Sequence, residues 1–277
     1  MSRFNRQTVV ITGAGSGIGR ALAYDLAQRG AVLAVSDVDE LGLAETVDHV
    51  KQLGARVRGD RLDVTDRDAV LAYADSVADE FGAVHVVINN AGIAFTGDIA
   101  EMTFDDIERV MAVDFWGVVN GTKAFLPHVI ASGDGTVVNI SSLFGLMAVP
   151  SQGAYNAAKF AVRGFTEALR QEMLVADHPV RVTCVHPGGI KTAIARNAGA
   201  VPGRDAAQLG EFFDKRLAKT SAERAARTIL NAAEKGHARV LVGADARFLD
   251  AYVRLVGSAY QRIGAAFTKR FAPKAKA

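Results

Sequence analysis

The sequence predicts a doubly wound α/β fold, a parallel sheet with helices on both faces. Two observations carry that expectation. Short β-branched runs alternate with segments of helical apolar spacing along most of the chain. The first run, Thr8-Val9-Val10-Ile11, passes directly into the glycine loop Thr12-Gly13-Ala14-Gly15-Ser16-Gly17-Ile18-Gly19, and helical spacing follows from Arg20 to Ala27. In the order strand, loop, helix, glycines permit a tight turn and bring backbone N–H groups of the helix start against a pyrophosphate.

In chain order, strands are expected near 8–12, 31–36, 56–62, 84–89, 136–140 and 180–186. Helical patterns fall between them near 17–29, 39–53, 66–80, 103–131 and 152–176. Ala31-Val32-Leu33-Ala34-Val35-Ser36 is the second strand, closed by Asp37. A last helix near 221–235 precedes the short strand Arg239-Val240-Leu241-Val242. Strand–helix alternation implies right-handed crossovers between parallel strands, whose ligands bind beyond the carboxyl ends. Gly13, Asp37, Asp63, Asn90, Ser142 and His186-Pro187-Gly188 all follow strands and should converge on that edge.

Composition agrees with one globular catalytic unit. A chain of 277 residues with 49% hydrophobic residues buries a sizeable core. A single dinucleotide-binding catalytic domain is expected over 1–245. The net charge of +2 argues against a large polyanionic partner, so no nucleic acid is expected. Cys184 is the sole cysteine, and the histidines at 49, 85, 128, 178 and 237 lack ligand spacing, so no metal is expected. Met1 to Arg6 is polar, and the apolar run after it is too short for a signal or spanning segment, which makes cytoplasm the expected compartment.

Tyr155-Asn156-Ala157-Ala158-Lys159 places a phenol and an ammonium four positions apart, on one helix face. Bringing a tyrosine from its ordinary pKa to about pH 7 takes about 4 kcal/mol of phenolate stabilisation, and a fixed cation can supply much of it. Ser142 adds a hydroxyl that can hold a carbonyl or alcohol oxygen while Tyr155 moves the proton.

Together, Thr12-Gly13-x-x-x-Gly17-x-Gly19, Asn89-Asn90-Ala91-Gly92, Ser142, Tyr155-x-x-x-Lys159 and Pro187-Gly188 resemble the short-chain dehydrogenase/reductase family. The resemblance covers roughly residues 5–245, with thirteen positions from serine to tyrosine. It implies a Rossmann-like sheet of about seven strands and hydride transfer between a secondary alcohol or ketone and a nicotinamide cofactor. Ser142, Tyr155 and Lys159 are then catalytic, and Lys159 also holds the nicotinamide ribose. The glycine loop (Gly13, Ser16, Gly17, Ile18, Gly19) takes the pyrophosphate, while Asp63 and Val64 meet the adenine edge. Asn90, Ala91 and Gly92 line the groove, and Pro187, Gly188, Ile190 and Thr192 receive the carboxamide. The resemblance also implies a variable substrate lid at about 191–220 and, since family members are usually dimers or tetramers, a homo-oligomer.

Asp37 decides the cofactor. A carboxylate after the second strand can accept the adenosine ribose hydroxyls and repels an added phosphate, so NAD is expected, with NADP as the alternative through Arg20 or Arg58. One position departs from the family, which usually has asparagine where this chain has Asp114. In the family that residue's backbone carbonyl orders a water beside the lysine. Asp114 keeps a carbonyl and is expected to serve that relay as the fourth catalytic residue, although an ionised side chain near Lys159 would work against the phenolate.

Ile93, Ala94, Phe95, Leu143, Phe144, Met147, Gln152 and the segment from Lys191 to Lys219 are expected around the substrate, an alcohol or ketone with an apolar or ring-shaped body. In the tail over 246–277, Leu249, Val253, Val256, Tyr260, Ile263 and Phe267 form one apolar stripe on a helix beside a largely basic face. Packing on its own domain or on a partner subunit, contact with a membrane surface, and disorder are the competing readings of that tail, with Ala272 to Ala277 loose. A binding scaffold without turnover is the rival function. A hydrolase using Ser142 lacks a suitably placed histidine, and His186 before Pro187 reads as structural.

Overall fold

The computed structural model describes residues 2–192, 194, 197–204, 211 and 218–271. Seven parallel strands form its central sheet: β1 Thr8–Thr12, β2 Val32–Asp37, β3 Val57–Arg61, β4 Val86–Asn89, β5 Gly135–Ile140, β6 Val180–Pro187 and β7 Arg239–Val242. Their order is β7-β6-β5-β4-β1-β2-β3. The chain therefore winds outward from β1 to β3, crosses back to β4 beside β1, and winds outward the other way. That reversal opens a crevice at the carboxyl ends of β1 and β4.

Helices α1 Gly17–Gln28, α2 Glu40–Gln52, α3 Arg67–Phe81, α4 Phe104–Met111, α5 Gly117–Ala131, α6 Gly153–Val175 and α7 Ala222–Glu234 connect the strands. Alternation along β1 shows why both sheet faces need cover. Val9 and Ile11 enter a core with Leu22 and Leu26 of α1 and Ile229 and Leu230 of α7, while Val10 enters a second core with Val77 of α3, Phe125 of α5 and Leu169 of α6. A third, smaller cluster of Phe95, Met102, Val110, Ala154 and Val201 underlies the substrate side.

Two expectations change. The helix expected over 103–131 is interrupted by a π-helical turn, Ala112–Trp116, between α4 and α5. Apolar residues run almost without a break from Val110 to Val119, so the spacing there carries no phase by which a π insertion could be recognised. The tail expected as one helix is two, α8 Ala244–Val256 and α9 Tyr260–Phe271, joined by the 3₁₀ turn Gly257–Ala259. Gly257 has φ +56°, a left-handed conformation that glycine adopts without steric cost and that ends α8. Among the described residues no helix is long and apolar enough to cross a membrane.

Candidate active site

Helix α6 carries Tyr155 and Lys159 on adjacent turns, and both face the end of β5. Lys159 is 3% exposed, with Nζ 5.5 Å from the Tyr155 ring centroid and donating to the Ile140 carbonyl at 3.3 Å. Ser142 follows β5 and caps the turn Leu143–Gly145, its Oγ accepting from Phe144 N at 3.1 Å. That turn packs directly on α6. Ser141 Oγ donates to the Lys159 carbonyl at 2.8 Å, and the Phe144 ring meets Tyr155 edge-on at 6.2 Å. Below it, buried His186 holds the Ser142 carbonyl, with Nδ1 2.9 Å from that oxygen. A carbonyl only accepts, so Nδ1 is the donor. Burial takes the His186 pKa down to about 4, so the ring is neutral.

Burial raises the Tyr155 pKa above the ordinary tyrosine value; Lys159 pulls it down, Asp114 pushes it up, and a hydrogen bond with Ser142 pulls it down. Lys159 thus acts in the expected direction without outweighing burial. Asp114, in the π-helical turn, is fully buried. The structure brings its side chain, beyond the expected carbonyl, to the lysine: Oδ2 lies 3.1 Å from Lys159 Nζ, and Oδ1 accepts from Ile93 N at 2.7 Å. Gly92 lies against this pair: a Cβ there would make van der Waals contact with Nζ at 3.4 Å and with each carboxylate oxygen at 3.5 Å.

On the other side of Gly92 lies the glycine loop. Gly13 has φ +67°, and a side chain there would strike Ala91 Cα at 2.7 Å. Asn90 laces loop to sheet, donating through Nδ2 to the Thr12 and Gly13 carbonyls at 2.9 and 3.0 Å; Ala91 N donates to Thr12 Oγ1 at 3.1 Å. Ser16 stands exposed before α1, Ile18 packs on the core, and Gly19 presses on the Gly13 carbonyl. Asp37 ends β2 beside the loop, its Oδ2 accepting from Gly15 N at 2.7 Å. Asp63 accepts from Thr65 N at 2.9 Å, and Asp66, not Asp63, caps α3. Val64 is buried, its carbonyl accepting from Asn120 at 2.9 Å.

The segment after β6 closes the groove. Pro187 pairs with Val242 of β7, Gly188 N donates to the Val242 carbonyl at 2.9 Å, and Ile190 and Thr192 are buried. Thr192 faces the glycine loop, 3.2 Å from where a Gly17 side chain would begin. Asp245, which sequence reasoning missed, fixes this segment by accepting from Gly189 N at 2.6 Å through Oδ2.

Of the three residues expected around the substrate after β5, Phe144 meets Tyr155, and Leu143 and Met147 are buried. Phe95 is buried in the third core cluster, against which Ile93 and Tyr155 pack, and it pairs with Gly199. Gln152 turns inward and donates to Thr96 Oγ1 at 2.8 Å. Arg204 secures the near end of the expected lid through Asp98, Glu101 and Ser151 at 2.8–3.0 Å. Positions 193, 195–196, 205–210 and 212–217 of that lid and the tail after 271 lie outside the described residues. In the tail, Leu249, Val253 and Val256 are half-buried, and Tyr260 Oη accepts from Ala148 N at 3.1 Å, which ties α9 to the substrate-side loop; Ile263 is exposed.

A family profile described as short chain dehydrogenase matches residues 7–202. SadH of Mycobacterium tuberculosis strain H37Rv, named an oxidoreductase, is 65% identical over 276 residues, covering 100% of both chains. Cyclohexanol dehydrogenase of Acinetobacter sp. strain SE19 is 34% identical over 194 residues, 70% of this chain and 76% of that protein. Among solved structures, a short-chain dehydrogenase/reductase from Burkholderia phymatum in complex with NAD superposes with a TM-score of 0.87 at 32% identity, covering 94% of this chain and 97% of that one. A seven-stranded sheet of this order, a glycine loop at its switch point and a serine, tyrosine and lysine gathered beside it accompany these matches, and the chain belongs to the short-chain dehydrogenase/reductase family.

Proposed function

We propose that the protein interconverts a secondary alcohol and a ketone by hydride transfer with NAD. The observation that carries this reading is the convergence of Ser142, Tyr155 and Lys159 across Gly92 from the glycine loop. Residues 1–245 act as the dinucleotide-binding catalytic domain, and the tail as its appended cover.

The groove fits such a cofactor. No side chain caps the start of α1 and its first turn holds no acid, whereas α2, α3, α4 and α7 are each capped by a side chain. Its first N–H groups are therefore available to a pyrophosphate. Gly13, Ser16, Gly17, Ile18 and Gly19 would hold that group, Asp37 the adenosine ribose, Asp63 and Val64 the adenine, and Asn90, Ala91, Gly92, Pro187, Gly188, Ile190 and Thr192 the nicotinamide half. When bound, NAD supplies the hydride acceptor.

The chain's own residues handle oxygen and proton. Ser142 donates a hydrogen bond to the substrate oxygen, which orients it and favours the developing carbonyl. Tyr155 takes the hydroxyl proton in oxidation and returns it in reduction. Lys159 stabilises the phenolate and is placed to hold the ribose hydroxyls. Leu143, Phe144 and Met147 favour an apolar body, and the likeness to a cyclohexanol dehydrogenase supports a ring-shaped one.

The preference for NAD follows from charge. Asp37 would repel a ribose phosphate, and both arginines that could bind one are engaged. Arg20 donates to the Gly15 and Gly42 carbonyls and pairs with Glu45 at 2.9 Å. Arg58 pairs with Asp60 at 2.8 Å and Glu80 at 3.1 Å. Parallel calorimetric titrations with NADH and NADPH test this without a guess at substrate. NADH should bind at least about tenfold more tightly, a difference of about 1.4 kcal/mol. Preference for NADPH would overturn the role given to Asp37, and silence for both would favour a scaffold without turnover.

A further inference from the structure

The buried pair of Asp114 and Lys159 has no counterpart in the serine, tyrosine and lysine chemistry proposed above. An asparagine could accept from Ile93 N equally well, so the hydrogen bond at 2.7 Å does not call for a carboxylate. What a carboxylate adds is charge, placed 3.1 Å from the Lys159 ammonium, with Asp114 fully buried and Lys159 nearly so. In such surroundings an ionic partner acts with little screening.

Resting on the reading of Tyr155 as the acid–base group, we propose that Asp114 is a positioning residue that offsets the Lys159 charge and moves the working pH of alcohol oxidation to the alkaline side. An ammonium with no anion beside it would act on Tyr155 with its whole field; paired with Asp114, it acts as a dipole, whose field falls off faster. The directions of titration of Lys159 and Tyr155 agree. Burial disfavours the Lys159 ammonium, but Asp114 and Tyr155 outweigh it and hold its pKa above the ordinary lysine value, while Asp114 is among the groups that raise Tyr155. For Asp114 itself burial outweighs Lys159 and the Ile93 N–H, and its carboxyl stands above the ordinary carboxylate value.

The neighbouring titratable groups do not compete for this role. From α6 come Tyr155 and Lys159 themselves. From β6 come Cys184, whose thiol burial pushes up to about 12, and His186, whose ring burial takes down to about 4; both are uncharged across the range in which a dehydrogenase works. Ser142, after β5, carries no charge.

The test is the pH profile of kcat/KM for NAD-dependent oxidation of cyclohexanol, or of the best substrate in a panel of cyclic secondary alcohols. Wild type, Asp114→Asn and Asp114→Ala are compared, with NADH binding measured on each to show an intact groove. Both variants should move the acidic limb at least about one pH unit lower, so that the fraction of the plateau reached at pH 7 rises about tenfold. A limb that stays in place while the plateau falls would reveal a merely structural residue and overturn the proposal, as would movement to higher pH. Failure of the underlying reading looks different: Tyr155→Phe would then keep both turnover and the limb.

Discussion

At the scale of the residue, His186 is the clearest case of a side chain whose work is done through another. Its ring lies fully buried under Ser142 and holds that residue's carbonyl, which fixes the backbone that carries the Ser142 hydroxyl. Burial depresses its pKa from 6.5 to about 4. Between those values the unfolded chain binds a proton that the folded chain refuses. The stabilising contribution is therefore complete above pH 6.5 and is lost as the pH falls toward 4, by about 3 kcal/mol in all. His186→Asn, which keeps a donor for the Ser142 carbonyl, should lose less stability than wild type between pH 7.5 and 5 in chemical denaturation; equal losses would contradict this account of the buried ring. Residue chemistry was also the most legible level in the sequence. Tyr155, Lys159 and Ser142 announce themselves because proton transfer needs those groups at fixed spacing on one helix and the strand end beside it. Asp245 did not, because its partner Gly189 is 56 residues away and nothing local marks the contact.

At the scale of the element, a buried polar network joins strands to helices beneath the site. Asn89 of β4 donates to Asn139 of β5 at 2.8 Å and to Thr122 of α5 at 3.0 Å, and Asn139 donates to Thr166 of α6 at 3.0 Å. These bonds hold α5 and α6, the two helices that flank Asp114 and carry Tyr155, in register with the sheet. Gly121 makes the approach feasible, since any Cβ there would collide with the Asn89 amide. Gly121→Ala should therefore cost about 1–3 kcal/mol in urea unfolding, even though alanine is the better helix former; unchanged or increased stability would contradict the close approach. The π-helical turn before α5 escaped the sequence because Val110 to Val119 is almost continuously apolar and shows no stripe to be interrupted. The break between α8 and α9 had one local signal, Gly257 in an otherwise apolar-periodic tail, and the stripe's regular alternation of fours and threes hid it.

At the scale of the whole molecule, the parallel sheet turns separate sequence motifs into one site. Strand order reverses beside β1, so loops from both halves meet at a single crevice. The glycine loop and Asp37 come from one half, and Gly92, Ser142, Thr192 and the α6 pair come from the other. This level was legible in advance, because strand–helix alternation leaves few topologies and ligands lie at the carboxyl edge of such sheets. The substrate side was less so. The apolar stripe of the tail does not say what it will meet, and Tyr260 of α9 reaches Ala148, just beyond the turn after Ser142. The account stands or falls on Tyr155 as the acid–base group. Tyr155→Phe should lower NAD-dependent oxidation of a cyclic secondary alcohol by at least about a thousandfold while NADH affinity by calorimetry stays within about threefold of wild type; turnover undiminished in that variant would contradict it.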